Sequence, residues 1–203
     1  MNLSGPAITF LVFMLYGTLH SVLASSWIKH RVSVLLGAFG DRGYRLAYNL
    51  IAGITFIPVL AMPAVFPGEV LYRFDGPWLF MTSLLQLLGA AIILVGMLQT
   101  DVWDFLGLRQ LAGNSPPTKH RLVVSGLYRY MRHPLYSGGL LLIWFLPMMT
   151  TSLLAFNLAA SLYLYIGSRF EERRLIAAFG QAYQLYQQQV PRFLPRPGRT
   201  FNP

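Results

Sequence analysis

Five apolar runs constrain this chain more than anything else in it. They cover roughly Ala7 to Trp27, Tyr44 to Phe66, Trp78 to Gln99, Leu135 to Met149 and Ser152 to Gly167. A helix needs about 20 residues to cross the hydrocarbon core of a bilayer, and most of these runs approach that length. Composition agrees. The 203 residues are 55% hydrophobic and 11% charged, whereas a soluble domain carries about 25% charged residues to cover its surface. The expectation is an all-α integral membrane protein with about five transmembrane helices and a C-terminal cytoplasmic amphipathic helix. It would form a single membrane domain over residues 1–203, with three spans inside 7–99 and the remainder in 100–203.

The charges orient it. Lys29, Arg31, Arg42 and Arg45 stand between runs one and two, and Arg109, Lys119, Arg121, Arg129 and Arg132 between three and four. Arg169, Arg173, Arg174, Arg192, Arg196 and Arg199 follow run five, so only Arg73 falls on the other side of a five-span chain. The positive-inside rule places the N-terminus outside and the C-terminus in the cytoplasm. A net charge of +9 in a soluble protein would raise nucleic acid as a partner. Here the bases sit in short segments between apolar runs, so membrane lipid headgroups explain them and no nucleic acid is expected. With no cysteine, disulfides, a cysteine nucleophile and thiolate metal sites are excluded; that and the compact length fit a bacterial inner membrane protein. Met1 to Ala7 holds no base and the first run exceeds a signal core, so it reads as a retained helix. Pro58 and Pro63 should kink the second run or end it early. Thr150-Thr151 leaves little loop between runs four and five, which predicts a tight helical hairpin over 134–168.

Two cytoplasmic pieces are too long to be connectors. Residues 100–131 hold Gly107, Gly113, Pro116, Pro117 and Gly126, which is loop chemistry. Residues 168–189 read as a helix in which Glu172, Leu175, Phe179, Tyr183 and Tyr186 share one face, ended by Pro191 and Pro195. Glu171 and Glu172 have two readings: acids neutralised by Arg169 and Arg173 on a surface helix, or a carboxylate facing a cavity. Tyr183 and Tyr186 either wall an adenine pocket or anchor the helix at the interface.

Pro134 suits a first helical turn, which places Arg132 and His133 at a helix N-terminus, where anions are favoured. The plainer reading is a positive-inside anchor and a cap. Tyr136 lies on the same side, and Gly138-Gly139 permits close approach of a helix or ligand. His20-Ser21, inside the first span, reads as an interhelical hydrogen bond or as a substrate contact. Asp101, Asp104, Arg109 and Gln110 either order their loop or line an acceptor entrance. There is no Gly-x-Gly-x-x-Gly, Walker loop or Gly-x-Ser-x-Gly elbow. Histidines at 20, 30, 120 and 133 show no metal spacing. The paired charges expected of a small transporter are missing from the spans.

At these residues the chain resembles the membrane-embedded methyltransferases: isoprenylcysteine carboxyl methyltransferases, phospholipid N-methyltransferases and methanethiol S-methyltransferases. The matching pattern is Gly126-Leu127-Tyr128-Arg129-Tyr130-Met131-Arg132-His133-Pro134-Leu135-Tyr136, then Glu171-Glu172, then Phe179-Gly180 with Tyr183 and Tyr186, then Val190-Pro191-Arg192-Phe193-Leu194-Pro195. It covers about residues 122–196. His20-Ser21 and Phe105 to Gln110 look similar to the thiol S-methyltransferase branch and to a sister group of nitric-oxide-metabolism membrane proteins.

The resemblance implies S-adenosyl-L-methionine as cofactor, no metal, and methyl transfer to a small or lipophilic acceptor, a thiol or an isoprenylcysteine-like carboxylate, at the cytoplasmic face. Residues 100–203 would be the cofactor-binding half. Val124, Gly126, Leu127, Arg132, His133, Tyr136, Glu171 or Glu172, Tyr183 and Arg192 would line the cofactor pocket. Arg132, His133 and Glu172 would carry the chemistry, with His133 or His20 as a base for a thiol, and His20 and Arg109 would face the acceptor. The sister group implies an alternative, a non-catalytic membrane accessory protein.

Overall fold

The computed structural model describes residues 4–113 and 122–201. Pro116, Pro117, Lys119, His120 and Arg121, which enter the loop and charge arguments, lie outside the described residues. Helix α1, Gly5–Leu23, starts with proline in its first turn, where the missing N–H costs nothing. Helix α2, Ser26–Val65, is capped by the Ser25 hydroxyl, which accepts from the Ile28 N–H. It keeps helical angles past Pro58 and Pro63, so the prolines do not end it early. Its one departure is at Gly37 (φ 55°, ψ −140°). Each proline removes a single i→i−4 bond, and membrane helices tolerate that loss. Strand β1, Val70–Arg73, pairs with β2, Met148–Thr150. Between them lie α3, Pro77–Leu98; the short α4, Val102–Leu106, and α5, Leu108–Leu111; a 3₁₀ turn, Gly126–Arg129; and α6, Pro134–Trp144. Helix α7, Thr151–Phe179, and α8, Gln181–Gln189, follow.

Among the described residues, α1, α2, α3 and α7 are long and apolar enough to cross a membrane, and the chain is an integral membrane protein of the all-α class. The fourth expected run forms only the 11-residue α6, about 16 Å long. Pro147 disfavours helix at the residue before it, and the chain there turns into β2. The linker is longer than Thr150-Thr151, while α6 and α7 do run antiparallel side by side: Trp144 Nε1 donates to the Ser161 hydroxyl and the Tyr136 hydroxyl to Glu171, each at 2.9 Å. Six residues, including a strand, separate α6 from α7, and the helix packed most closely on α6 is α3. No boundary falls near residue 168 either. Helix α7 runs on to Phe179, and the break comes at Gly180 (φ 58°), a left-handed conformation that glycine adopts without Cβ strain.

The chain divides into two compact units. The first holds Met1–Leu71, Asp101–Lys119 and Thr150–Ala159. Its core is aromatic: the Phe13 ring lies edge-on to Phe156 at 5.3 Å and to Phe56 at 6.5 Å. Residues 101–111 are not an open loop there. Asp101 caps α4 by accepting from the Asp104 N–H and pairs with Arg109 at 2.8 Å. Asp104 pairs with Arg45 at 2.9 Å, and the Asn49 amide donates to the Phe105 carbonyl. Gly107 (φ 90°) comes so close to α2 that a Cβ would stand 2.5 Å from the Leu46 nitrogen. The loop-ordering reading of these polar residues is the one this geometry fits.

The second unit holds Tyr72–Thr100, His120–Met149 and Ala160–Pro203. Here α3 and α6 meet glycine to glycine: a Cβ on Gly138 would lie 2.6 Å from the Gly89 carbonyl oxygen, and one on Gly89 2.8 Å from that of Gly138. Such contact supplies the dispersion energy that joins helices in lipid, where the hydrophobic effect between them is weak. The Gln86 amide adds a bond to the Leu142 carbonyl.

Candidate active site

The second unit gathers six of the singled-out side chains. Its frame is backbone. The N–H groups of Arg132 and His133 donate to the carbonyls of Pro191 and Arg192, each at 3.0 Å, and the Ser137 hydroxyl donates to the Phe193 carbonyl at 2.6 Å. The Val190-to-Phe193 segment is thereby strapped to the start of α6, because prolines on both segments leave carbonyls that no helix uses.

Glu172 projects from α7 into this frame and is buried. Its carboxylate accepts from four side chains: Arg132 (Nε 2.8 Å), Arg192 (NH2 2.6 Å), His133 (Nε2 3.1 Å) and Gln187 (Nε2 3.1 Å). Arg132 is in turn fully engaged, since its other terminal nitrogen donates to the carbonyls of Gln187 and Val190. Burial of a carboxylate is costly unless it is paired and hydrogen-bonded, and Glu172 is both. Glu171, one residue earlier and about 100° around the helix, is different. Its side chain is 47% exposed, and it accepts only from the Tyr136 hydroxyl at 2.9 Å and from His133 Nδ1 at 3.4 Å among the bonds resolved.

His133 thus stands between two carboxylates, its ring stacked on Tyr136 at 5.2 Å. Burial lowers its pKa, but hydrogen bonds and charge from Glu171 and Glu172 outweigh that and raise it. Both ring nitrogens face carboxylate oxygens, an arrangement that a doubly protonated ring satisfies by donating from each. The Glu172 carboxylate likewise raises Arg192. Three cations, Arg132, His133 and Arg192, face two carboxylates, so the cluster is net positive, with its one uncommitted acceptor edge on Glu171.

The remaining candidates sit elsewhere. Tyr183 and Tyr186 are neither exposed anchors nor solvent-facing walls. They are buried with Val190 against Leu122, Val124 and Phe201, and burial pushes both hydroxyls up. Val124 belongs to that core. Gly126 (φ 59°) and Leu127 form the 3₁₀ turn, where the Leu127 N–H donates to the Gln99 side chain at 2.9 Å. His20 and Arg109 belong to the first unit: His20 Nε2 bonds the Tyr48 hydroxyl at 2.6 Å, and Arg109 pairs with Asp101. The partner of His20 is therefore Tyr48 of α2, not the adjacent Ser21.

Gln187 and Gln99 escaped the sequence reading. Gln187 stands four residues after Tyr183 and so shares its face, a signal hidden in the run Gln187-Gln188-Gln189. Gln99 ends an apolar run and carries no local sign of its partner 28 residues later.

A family model described as phospholipid methyltransferase matches residues 84–182. Along nearly its whole length the chain is similar to methanethiol S-methyltransferase 2 of Bradyrhizobium diazoefficiens, 32% identical over 93% of this chain and 73% of that protein. The chain belongs to the membrane-embedded methyltransferase superfamily. It is an enzyme of the methyltransferase class. Methanethiol S-methyltransferase of a Pseudomonas strain is 29% identical over 97% of this methyltransferase and 79% of its own length. Protein-S-isoprenylcysteine O-methyltransferase B of Arabidopsis thaliana is 37% identical over 37% of the chain and 40% of its own length. No solved structure matches the chain.

Proposed function

We propose that this enzyme transfers a methyl group from S-adenosyl-L-methionine to a small thiol, with the donor held by the cluster around Glu172. The observation that carries the reading is the charge arrangement: a buried, net-positive cluster edged by the half-exposed Glu171. That donor set fits a ligand bearing a carboxylate, an ammonium and a sulfonium. Arg192 offers a cationic donor to the carboxylate, and Glu171 and the Tyr136 hydroxyl offer acceptors to the ammonium or a ribose hydroxyl. When bound, S-adenosyl-L-methionine supplies an electrophilic methyl group.

The chain's residues then bind, orient and exclude water. Glu172 keeps Arg132, Arg192 and His133 in register. Arg132 ties α6, α7 and the segment after α8 together. His133, already protonated between two acids, holds Glu171 in place and is not the proton acceptor. A thiol near pKa 8.5 is more acidic beside Arg and protonated His, so the positive cluster itself favours the thiolate nucleophile. Alignment of the two reactants in a dry site contributes most of the rate.

Three relatives named methanethiol S-methyltransferase cover more than nine-tenths of the chain, whereas the isoprenylcysteine relatives of plant and human cover 37% and 58% of it. That difference favours a thiol over a prenylcysteine carboxylate. The arrangement of bases around the spans favours a cytoplasmic site in a bacterial inner membrane, with the N-terminus outside.

The test is transfer of a labelled methyl group by the purified protein to methanethiol, a prenylcysteine or phosphatidylethanolamine, with S-adenosylhomocysteine binding measured alongside. Transfer to methanethiol is expected, with binding weakened by Glu171→Gln. A parent protein that binds no S-adenosylhomocysteine defeats the proposal; binding with transfer only to another acceptor defeats its thiol part.

A further inference from the structure

We infer that Ser26 to Leu36, the part of α2 ahead of Gly37, is an interfacial helix that lies along one leaflet and docks on anionic lipid headgroups. Helix α2 has 40 residues, about 60 Å, twice the hydrocarbon thickness of about 30 Å. The stretch from Tyr44 to Val65 is long enough to span by itself, so the residues before it need another place.

The backbone shows that they turn away from the span. Gly37 leaves the helical region (φ 55°, ψ −140°). Beyond it, Gly40 is buried, and a Cβ there would stand 2.8 Å from the Val32 carbonyl and 3.0 Å from the Leu36 Cβ. In a straight helix residues 32 and 40 are about 12 Å apart. The chain has therefore folded back at Gly37.

The segment before the break is two-faced. At 100° per residue, Trp27, Val34 and Leu35 fall on one arc, which also carries Arg31, and Ser26, Lys29, His30 and Ser33 fall on the opposite one. Trp27, Val34 and Leu35 are 62%, 68% and 78% exposed, while Ile28 and Val32 are half-buried. The Arg31 guanidinium lies 5.3 Å from the Trp27 ring centroid, an arrangement in which an aromatic body enters the headgroup layer and the cation stays near its polar edge.

Charge selects the occupant. Residues 26–36 hold Lys29 and Arg31 and no acid. An apolar arc that carries Arg31, whose long stem can reach up to the headgroups, with Lys29 on the polar side, matches the surface of an anionic leaflet. A second protein facing this arc would need acids to meet those bases and would cover Leu35 rather than leave it to lipid.

A chain without cysteine suits the test. Single variants Val34→Cys, Leu35→Cys, Ser26→Cys and His30→Cys of the full chain would carry nitroxides in vesicles of phosphatidylcholine and phosphatidylglycerol, with helicity checked by circular dichroism and Trp27→Cys in reserve. Oxygen should reach positions 34 and 35 better than a water-soluble nickel chelate does, and the order should reverse at 26 and 30. Water access at all four positions overturns the inference, and so does lipid access at all four. Exclusion of both reagents from 34 and 35 overturns it in favour of a protein partner or a second copy. The label at 35 should sit deeper with phosphatidylglycerol present than in phosphatidylcholine alone, and Lys29→Gln with Arg31→Gln should abolish that difference. Equal depth in the two vesicle types overturns the anionic-headgroup assignment.

Discussion

Nε2 of His133 lies 3.1 Å from Oε1 of Glu172, in a pair buried on both sides. Since the other nitrogen of the same ring faces Glu171 at 3.4 Å, His133 couples a buried carboxylate to a half-exposed one. A proton on that ring is held from both directions.

The pH dependence follows with a definite sign. The folded-state pKa of His133 is raised above its ordinary value of 6.5 because its two carboxylate partners outweigh the effect of burial. The proton therefore stabilises the fold fully below about pH 6.5, and that contribution is lost as pH rises through the folded pKa. Thermal unfolding in detergent should show the parent losing stability in that window and His133→Asn losing less. An imidazole titration of His133 by NMR with a midpoint below 6.5 would count against the assignment.

The two glutamates should separate in mutagenesis. Glu172→Gln leaves Arg132 and Arg192 without their buried counter-charge, and breaking such a pair costs about 3–5 kcal/mol. Glu171→Gln removes a carboxylate with a solvent-facing edge. It should lower the unfolding temperature clearly less than Glu172→Gln does, while weakening S-adenosylhomocysteine binding about tenfold, the loss of one charge-assisted bond. Calorimetry and a binding isotherm on each variant check both halves. Equal destabilisation by the two variants would refute the division.

Adjacent glycines in α6 offer a packing test. A methyl group on Gly138 would meet the Gly89 carbonyl, whereas one on Gly139 would meet nothing within 4 Å. Gly138→Ala should cost about 1–3 kcal/mol by overpacking. Gly139→Ala should be neutral or slightly stabilising, since alanine is the better helix former. Unfolding midpoints of the pair decide it.

Gln99 should matter through the turn it holds. Gln99→Ala removes the acceptor of the Leu127 N–H, at about 1 kcal/mol, and amide exchange at Leu127 should quicken. Gly126→Ala should cost more, because position 126 has a left-handed φ of 59° and its Cβ would run into the Gln99 side chain. Exchange rates unaltered by Gln99→Ala would show that the turn is held by other bonds.

Several features were legible before any coordinates. Long apolar runs announce membrane helices, since lipid tolerates few alternatives to them. Pro134 announces the start of α6, and spacing announces one inward face carrying Glu172, Tyr183 and Tyr186. Other features were not. The prolines of α2 looked like breakers but are absorbed, and the break falls at Gly37, where the chain folds back on Val32. Gly180 splits the inward face between two helices without changing which residues it presents. Whether Asp101 and Arg109 ordered their segment or faced a ligand depended on Asp104 finding Arg45, 59 residues away.

By itself, the sequence determined the membrane class, where the long apolar stretches lie and the residue types available for chemistry, because hydropathy and local backbone preference act over one or two turns of chain. Only the tertiary structure decided which glutamate is buried and which is open, what Arg132 binds, and that His20 meets Tyr48. Each of those outcomes depends on groups brought together from distant parts of the chain, where charge and burial, and no local pattern, set the pairing.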